Sequence, residues 1–127
     1  MTIREAIDRA DENNMNQYTE EEKVRWLSIL DAAVIENIFK THERNAEDPE
    51  IHFRPYTMED MDKDLLVPFP YDELYIAYID MKVYEQNKES DRYNNAASLY
   101  NSYMQDYSDH FNRTHMPRFV SNHRIWG

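Results

Sequence analysis

Ser90-Asp91-Arg92-Tyr93-Asn94-Asn95-Ala96-Ala97-Ser98-Leu99-Tyr100-Asn101-Ser102-Tyr103-Met104-Gln105-Asp106-Tyr107-Ser108-Asp109-His110-Phe111 decides the fold class. Tyr93, Ala97, Tyr100, Met104, Tyr107 and Phe111 alternate spacings of four and three, a heptad-like seam that only a helix places on one face. Ser90 is the expected N-cap and Pro117 the stop. A helix over 90–114 has a length of about 37 Å at ~1.5 Å per residue, enough to cross a small domain.

Working outward, Pro70 is placed to enter a preceding helix over 71–87, in which Tyr71, Leu74, Tyr75, Tyr78 and Ile79 share a face that Met81 and Val83 extend. Upstream, Thr19 with Glu22 reads as a capping box opening a helix over 20–42. Its stripe of Trp26, Leu27, Leu30, Ala33, Val34 and Ile38 is widened by Ile29, Ile35 and Phe39. Glu20–Glu22 at its start and Lys40 with His42 at its end carry the signs the helix dipole favours. Thr2 with Glu5 is a second capping box, and Ile3, Ala6, Ile7 and Ala10 give residues 2–13 a short amphipathic helix. Between the second and third helices, Pro49, Pro55, Pro68 and Pro70 predict a mostly irregular stretch over 43–69, with one extended piece at Ile51-His52-Phe53-Arg54. A loop of that length in a small domain is commonly functional or disordered. Glycine occurs only at Gly127, so Asn13, Asn45 and Asn87 are the expected left-handed helix ends. The expectation is all-α: a small bundle of about four helices with a long irregular loop, one helical domain over 1–115, and an extended C-terminal arm over 116–127.

Composition narrows what such a bundle does. The net charge is −11, and the residues carrying it are unevenly spread: 1–48 hold 12 acids and 6 bases, 49–89 hold 10 and 4, and 90–127 hold 3 and 4. Binding to phosphate requires clustered Lys and Arg, so an acidic body argues against tight DNA binding. The first fifteen residues carry Glu5, Asp8, Asp11 and Glu12, and no apolar run nears the ~18 residues of a membrane span, so neither a secretion signal nor a membrane partner is expected. The absence of cysteine excludes disulfides and thiolate metal sites and fits cytosolic synthesis.

Chemistry-bearing patterns are few. Without internal glycine there is no dinucleotide fingerprint, phosphate loop or nucleophile elbow. Asp60-Met61-Asp62-Lys63-Asp64 begins like a calcium loop, but Leu65 stands at the glycine position and Tyr71 at the bidentate glutamate position, so it reads as a solvated acidic loop. His42, His52, His110, His115 and His123 form no metal-binding spacing, and Asp109 beside His110 lacks a nucleophile. Helix carboxylates read as exposed faces. The expectation is a protein without catalytic residues, metal or cofactor.

Ten tyrosines, eight of them between Tyr71 and Tyr107, suit helix faces that are dry on one edge and wet on the other, as subunit contacts are. The segment from Met116 to Gly127 is acid-free and carries Arg118, Phe119, Val120, His123, Arg124, Ile125 and Trp126. Arg118, Phe119, Arg124, Ile125 and Trp126 are therefore the candidate partner-binding residues of a docking arm, against the plain alternative of a frayed terminus.

Three phrases, taken in order, carry a resemblance: Asn16-Gln17-Tyr18-Thr19-Glu20-Glu21-Glu22-Lys23-Val24-Arg25-Trp26-Leu27, then Leu65-Leu66-Val67-Pro68-Phe69-Pro70-Tyr71-Asp72-Glu73-Leu74-Tyr75, then Tyr93-Asn94-Asn95 through Asn112-Arg113-Thr114-His115-Met116-Pro117. Over about residues 14–117 the chain resembles the small head-tail connector (adaptor, or head-completion) proteins of tailed bacteriophages and prophages. The resemblance implies a helical structural subunit without catalytic residues. About a dozen copies would form a homo-oligomeric ring below the portal protein and join it to stopper or tail proteins. It implies a place in the virion at the head-tail junction, assembly in the host bacterial cytoplasm, and only passing, non-specific contact with phage DNA. The helix starting at Thr19 and the acidic 59–64 segment are the candidates for the channel lining. An acidic regulatory protein, such as a DNA mimic, shares the charge but has no need of a basic aromatic tail. A small hydrolase using helix carboxylates and histidine lacks a motif.

Overall fold

The computed structural model describes residues 1–42 and 52–116, and within them the chain is all-α, with helices α1 (Ile3–Asn13), α2 (Glu20–Asn37), α3 (Glu73–Gln86) and α4 (Ser90–Thr114). The expected box at Thr2 forms in full, with Glu5 N donating to Thr2 Oγ1 and Thr2 N to Glu5 Oε1, both at 3.1 Å. α1 turns Ile3, Ala6, Ile7 and Ala10 into the core. At α2 half of the expected box forms: Thr19 Oγ1 accepts from Glu22 N at 3.2 Å.

α2 ends at Asn37, short of the expected 42, and Phe39–Thr41 continue as a 3₁₀ turn. The cause is competition for carbonyls. Thr41 Oγ1 donates to Asn37 O and Ile38 O, and the His42 ring reaches back to Ile38 O at 2.7 Å, satisfying groups a further α-turn would have used. Pro70 sits in the turn ahead of α3, not in its first position, and the Phe69–Pro70 peptide is cis.

The C-terminus of α3 corrects a second expectation. Asn87 is right-handed (φ −79°), and the left-handed residue is Lys88 at φ 59°. Lys88 N donates to Glu85 O and Glu89 N to Tyr84 O, the paired closure of a Schellman motif. Asn87 is used elsewhere: its Oδ1 accepts from Tyr18 Oη at 2.6 Å and Gln17 Nε2 at 3.3 Å, tying the end of α3 to the α1–α2 loop. Because that closure runs through Glu89, Glu89 becomes the N-cap of α4 and Ser90 its first helical residue, without a side-chain cap. α1 ends at Asn14, which is neither helical nor left-handed (φ −150°, ψ 88°), with Asn13 still helical. Asn45 lies outside the described residues.

The core lies between α1, α2 and α3, with Ile3, Leu27, Val34, Leu74, Tyr75 and Ile79 fully or almost fully buried. The loop ahead of α3 belongs to it too, since Tyr56, Met61, Leu65 and Val67 are buried. An isolated antiparallel bridge joins Thr2 to Asp64, flanked by Ile3 N to Lys63 O (3.1 Å) and Arg4 N to Met61 O (2.8 Å). Of the expected extended piece, Ile51 lies outside the described residues, and 52–54 carry no strand assignment. α4 packs along α3, with Tyr107 against Tyr71 (5.6 Å between ring centroids) and Tyr100 against Tyr78 (5.2 Å).

Candidate assembly surface

The feature that sequence reading missed is a buried carboxylate. Asp31, mid-α2, is 0% exposed. It accepts from Tyr56 Oη (2.5 Å), Tyr75 Oη (2.6 Å) and Leu66 N (3.1 Å), while Tyr75 Oη accepts in turn from Val67 N at 2.8 Å. Burial raises the Asp31 pKa, against the lowering effect of these three donors. Burial, then the negative charge of Asp31, pushes both phenols above their ordinary range. Closed off from solvent, this knot offers a substrate no access. What it does is hold the 56–67 segment to α2 and α3. The available signal was Asp31 standing inside the broad apolar stripe of α2, where a charge survives only with partners.

In the acidic loop Asp62, Lys63 and Asp64 are exposed as expected, and Asp60 is the exception. Asp60 is buried and receives a two-pronged bond from Arg54 (3.0 and 2.9 Å) and a further bond from Thr57 N at 2.8 Å. The Arg54 guanidinium, first of these, holds its carboxyl below the usual range. Asp62 pairs with Arg4 at 2.9 Å across to α1. Among the described residues no three His, Asp or Glu groups are arranged to hold a metal ion, and no helix is long and apolar enough to cross a membrane.

Histidines serve packing. His42 is buried and bridges Ile38 O and the Asn112 side chain (2.5 Å), His110 stacks on Tyr71, and His115 lies parallel to Phe111 at 3.8 Å. His52 is exposed, and His123 lies outside the described residues. Asp109 accepts from Gln105 Nε2 and not from His110.

On α4 the seam is half covered. Ala96, Tyr107 and Phe111 are buried, whereas Tyr93, Ala97, Tyr100, Tyr103 and Met104 are only partly so. The buried alanine is Ala96 and not the seam's Ala97, a shift of one position. Burial, with Tyr78 adjoining, pushes the Tyr100 phenol up to about 12. α4 is joined to the α2 side near its C-terminus, where Phe111 stacks on Phe39 (5.2 Å) and Asn112 meets His42. Upstream of this clasp a groove of about 390 Å³ separates the two helices. Leu30, Val34 and Ile38 form its α2 side and Tyr100 and Met104 its α4 side. Further apolar side chains stand in solvent: Phe69 at 84%, Ile29 at 51% and Leu99 at 49% exposure. Glu20, Glu21 and Glu22 are exposed at the start of α2.

The five contact residues expected from sequence, Arg118, Phe119, Arg124, Ile125 and Trp126, all lie outside the described residues, as does the arm from Pro117 onward. Comparison of the chain with family models, with curated proteins and with solved structures found no match.

Proposed function

We propose that the chain is a structural subunit of a phage head-tail connector, assembling as a ring on the portal protein and lining a channel through which DNA passes without sticking. The observation that carries the reading is α4: a helix of 25 residues whose aromatic seam is incompletely covered within the subunit. Partly buried tyrosines at that spacing suit a contact with another chain. The three phrases that resemble connector proteins support it from a second direction, because each coincides with a working part. Residues 16–19 fasten the α1–α2 loop and cap α2, residues 66, 67 and 75 enter the Asp31 knot, and residues 93–115 form α4 and its clasp. The proposed role is structural, without catalysis, metal or cofactor, and its setting is the virion, after assembly in the host bacterium. The charge of −11 also favours an acidic regulator that mimics DNA.

Sedimentation separates the two. Purified portal rings mixed with the chain should carry it down in a fixed ratio of about one per portal subunit. Portal rings that leave the chain in the supernatant, while a nucleic-acid-binding protein retains it, contradict the connector reading and favour the mimic.

A further inference from the structure

We propose that the groove between α2 and α4 is the seat for residues 118–126 of a second copy of the chain, a contact that deepens the connector reading and rests on it. The groove is about 390 Å³, within the ~300–1,000 Å³ of cavities that hold ligands. Its floor is apolar, from Leu30, Val34 and Ile38, while Asn37, Asn101 and Gln105 also line it. That combination fits an extended segment: apolar pockets take alternate side chains and the amides bond the backbone between them. The chain contains one segment of matching chemistry. Extended, residues 118–126 would set Phe119 and Ile125 on one face as the apolar anchors and carry Arg118 and Arg124 as the charges. On α4, Asp109 accepts from the groove-lining Gln105 at 2.9 Å and so sets a negative charge at the border of the groove for an arginine.

The geometry favours a neighbour's segment over the chain's own. The groove end nearest the C-terminus of α4 is closed by the Phe39–Phe111 stack and the His42–Asn112 bridge. To enter from the Tyr100 end, the chain's own segment would have to pass that clasp and run back about 20 Å along α4, with no glycine before Gly127 to make the reversal. A second copy has no such restriction. Donor segment and acceptor groove are different surfaces, so the contact is head-to-tail, the type that closes into rings.

The test places a photoreactive benzophenone amino acid at position 119 of the full chain. A mixture of isotopically light and heavy protein is irradiated on portal rings, and the linked peptides are identified by mass. Mixed-isotope links from position 119 to Leu30, Met104 or their groove neighbours are expected. Links within one chain, or links to any other surface, overturn the proposal. Retention on the portal rings is scored in the same sample. Retained protein with links elsewhere overturns the groove and leaves the connector reading standing, while protein that is not retained overturns both. As a second variant, Ala33→Trp fills the groove from α2 and should weaken subunit association by about 30-fold with helicity unchanged. Normal association of a folded Ala33→Trp protein also overturns the proposal.

Discussion

Asp31 joins four parts of the chain through one carboxylate, and its removal exposes what each bond contributes. Asp31→Ala would leave two buried phenol hydroxyls and Leu66 N without their acceptor, with an expected loss of about 3 kcal/mol in urea unfolding. An effect below about 0.5 kcal/mol, the scale of ordinary surface changes, would show that the knot is not a structural pin. Asp80 has the opposite character. Its Oδ1 is buried, with the Asn14 side-chain amide near it but without a well-formed hydrogen bond. Burial, first, pushes its pKa up to about 6; the Asn14 amide opposes the shift and the charge of Asp11 adds to it. With the folded value above the unfolded one, the stability Asp80 confers is complete below about pH 4 and is lost as pH rises through about 6. Asp80→Asn should therefore gain about 1 kcal/mol over the native chain at pH 7.5, after allowance for solvent screening, and show little of that gain at pH 4. A gain of equal size at both values would rule out the titration of Asp80 as its source.

At the scale of elements, the α3–α4 corner carries a local cost. Lys88 occupies the left-handed position of a Schellman motif that glycine fills without a Cβ clash. Lys88→Gly should stabilise the protein by about 1 kcal/mol, raising Tm by roughly 3–5 °C, and calorimetry showing a fall would mean the lysine side chain has a compensating role. The helices themselves were legible because period and caps agree: Thr2 with Glu5, Thr19 above Glu22, and the Tyr93–Phe111 seam each specify the same element twice. Their ends were less so. Asn87 reads as a left-handed cap until Tyr18 and Gln17, about seventy residues away in the chain, take its side chain. α2 ends at Asn37 because Thr41 and His42 take its last carbonyls, and Asn112, 70 positions on, holds the other nitrogen of the His42 ring. Asp31 was misread as an exposed carboxylate for the same reason, since Tyr75 approaches it from 44 positions along. Asp60 differs, because its partners Arg54 and Thr57 lie six and three positions away and Thr57 with Asp60 is a capping box within the proline-rich loop. Local pattern reveals a partner only when it lies within a turn or two. The candidate surface was half legible: the tyrosine seam could be read, whereas the groove exists only because α4 follows α3 and leaves α2.

At the scale of the whole molecule, charge and shape point the same way. The acidic body should bind duplex DNA only weakly, with no sub-micromolar affinity at physiological salt, because few cations are available to release counterions. Fluorescence anisotropy showing sub-micromolar binding would contradict an acidic channel lining. An aromatic helix face left partly uncovered on an acidic body is the basis of the proposal that the chain, folded by α1 to α3, is completed at α4 by neighbouring subunits. The central claim is that these neighbours are further copies arranged on a portal. Electron cryomicroscopy of portal rings saturated with the chain tests it most directly. The account predicts a ring of four-helix subunits seated on the portal, with α4 at each subunit boundary. A bare portal, or a bound subunit whose α4 faces only solvent, would contradict it.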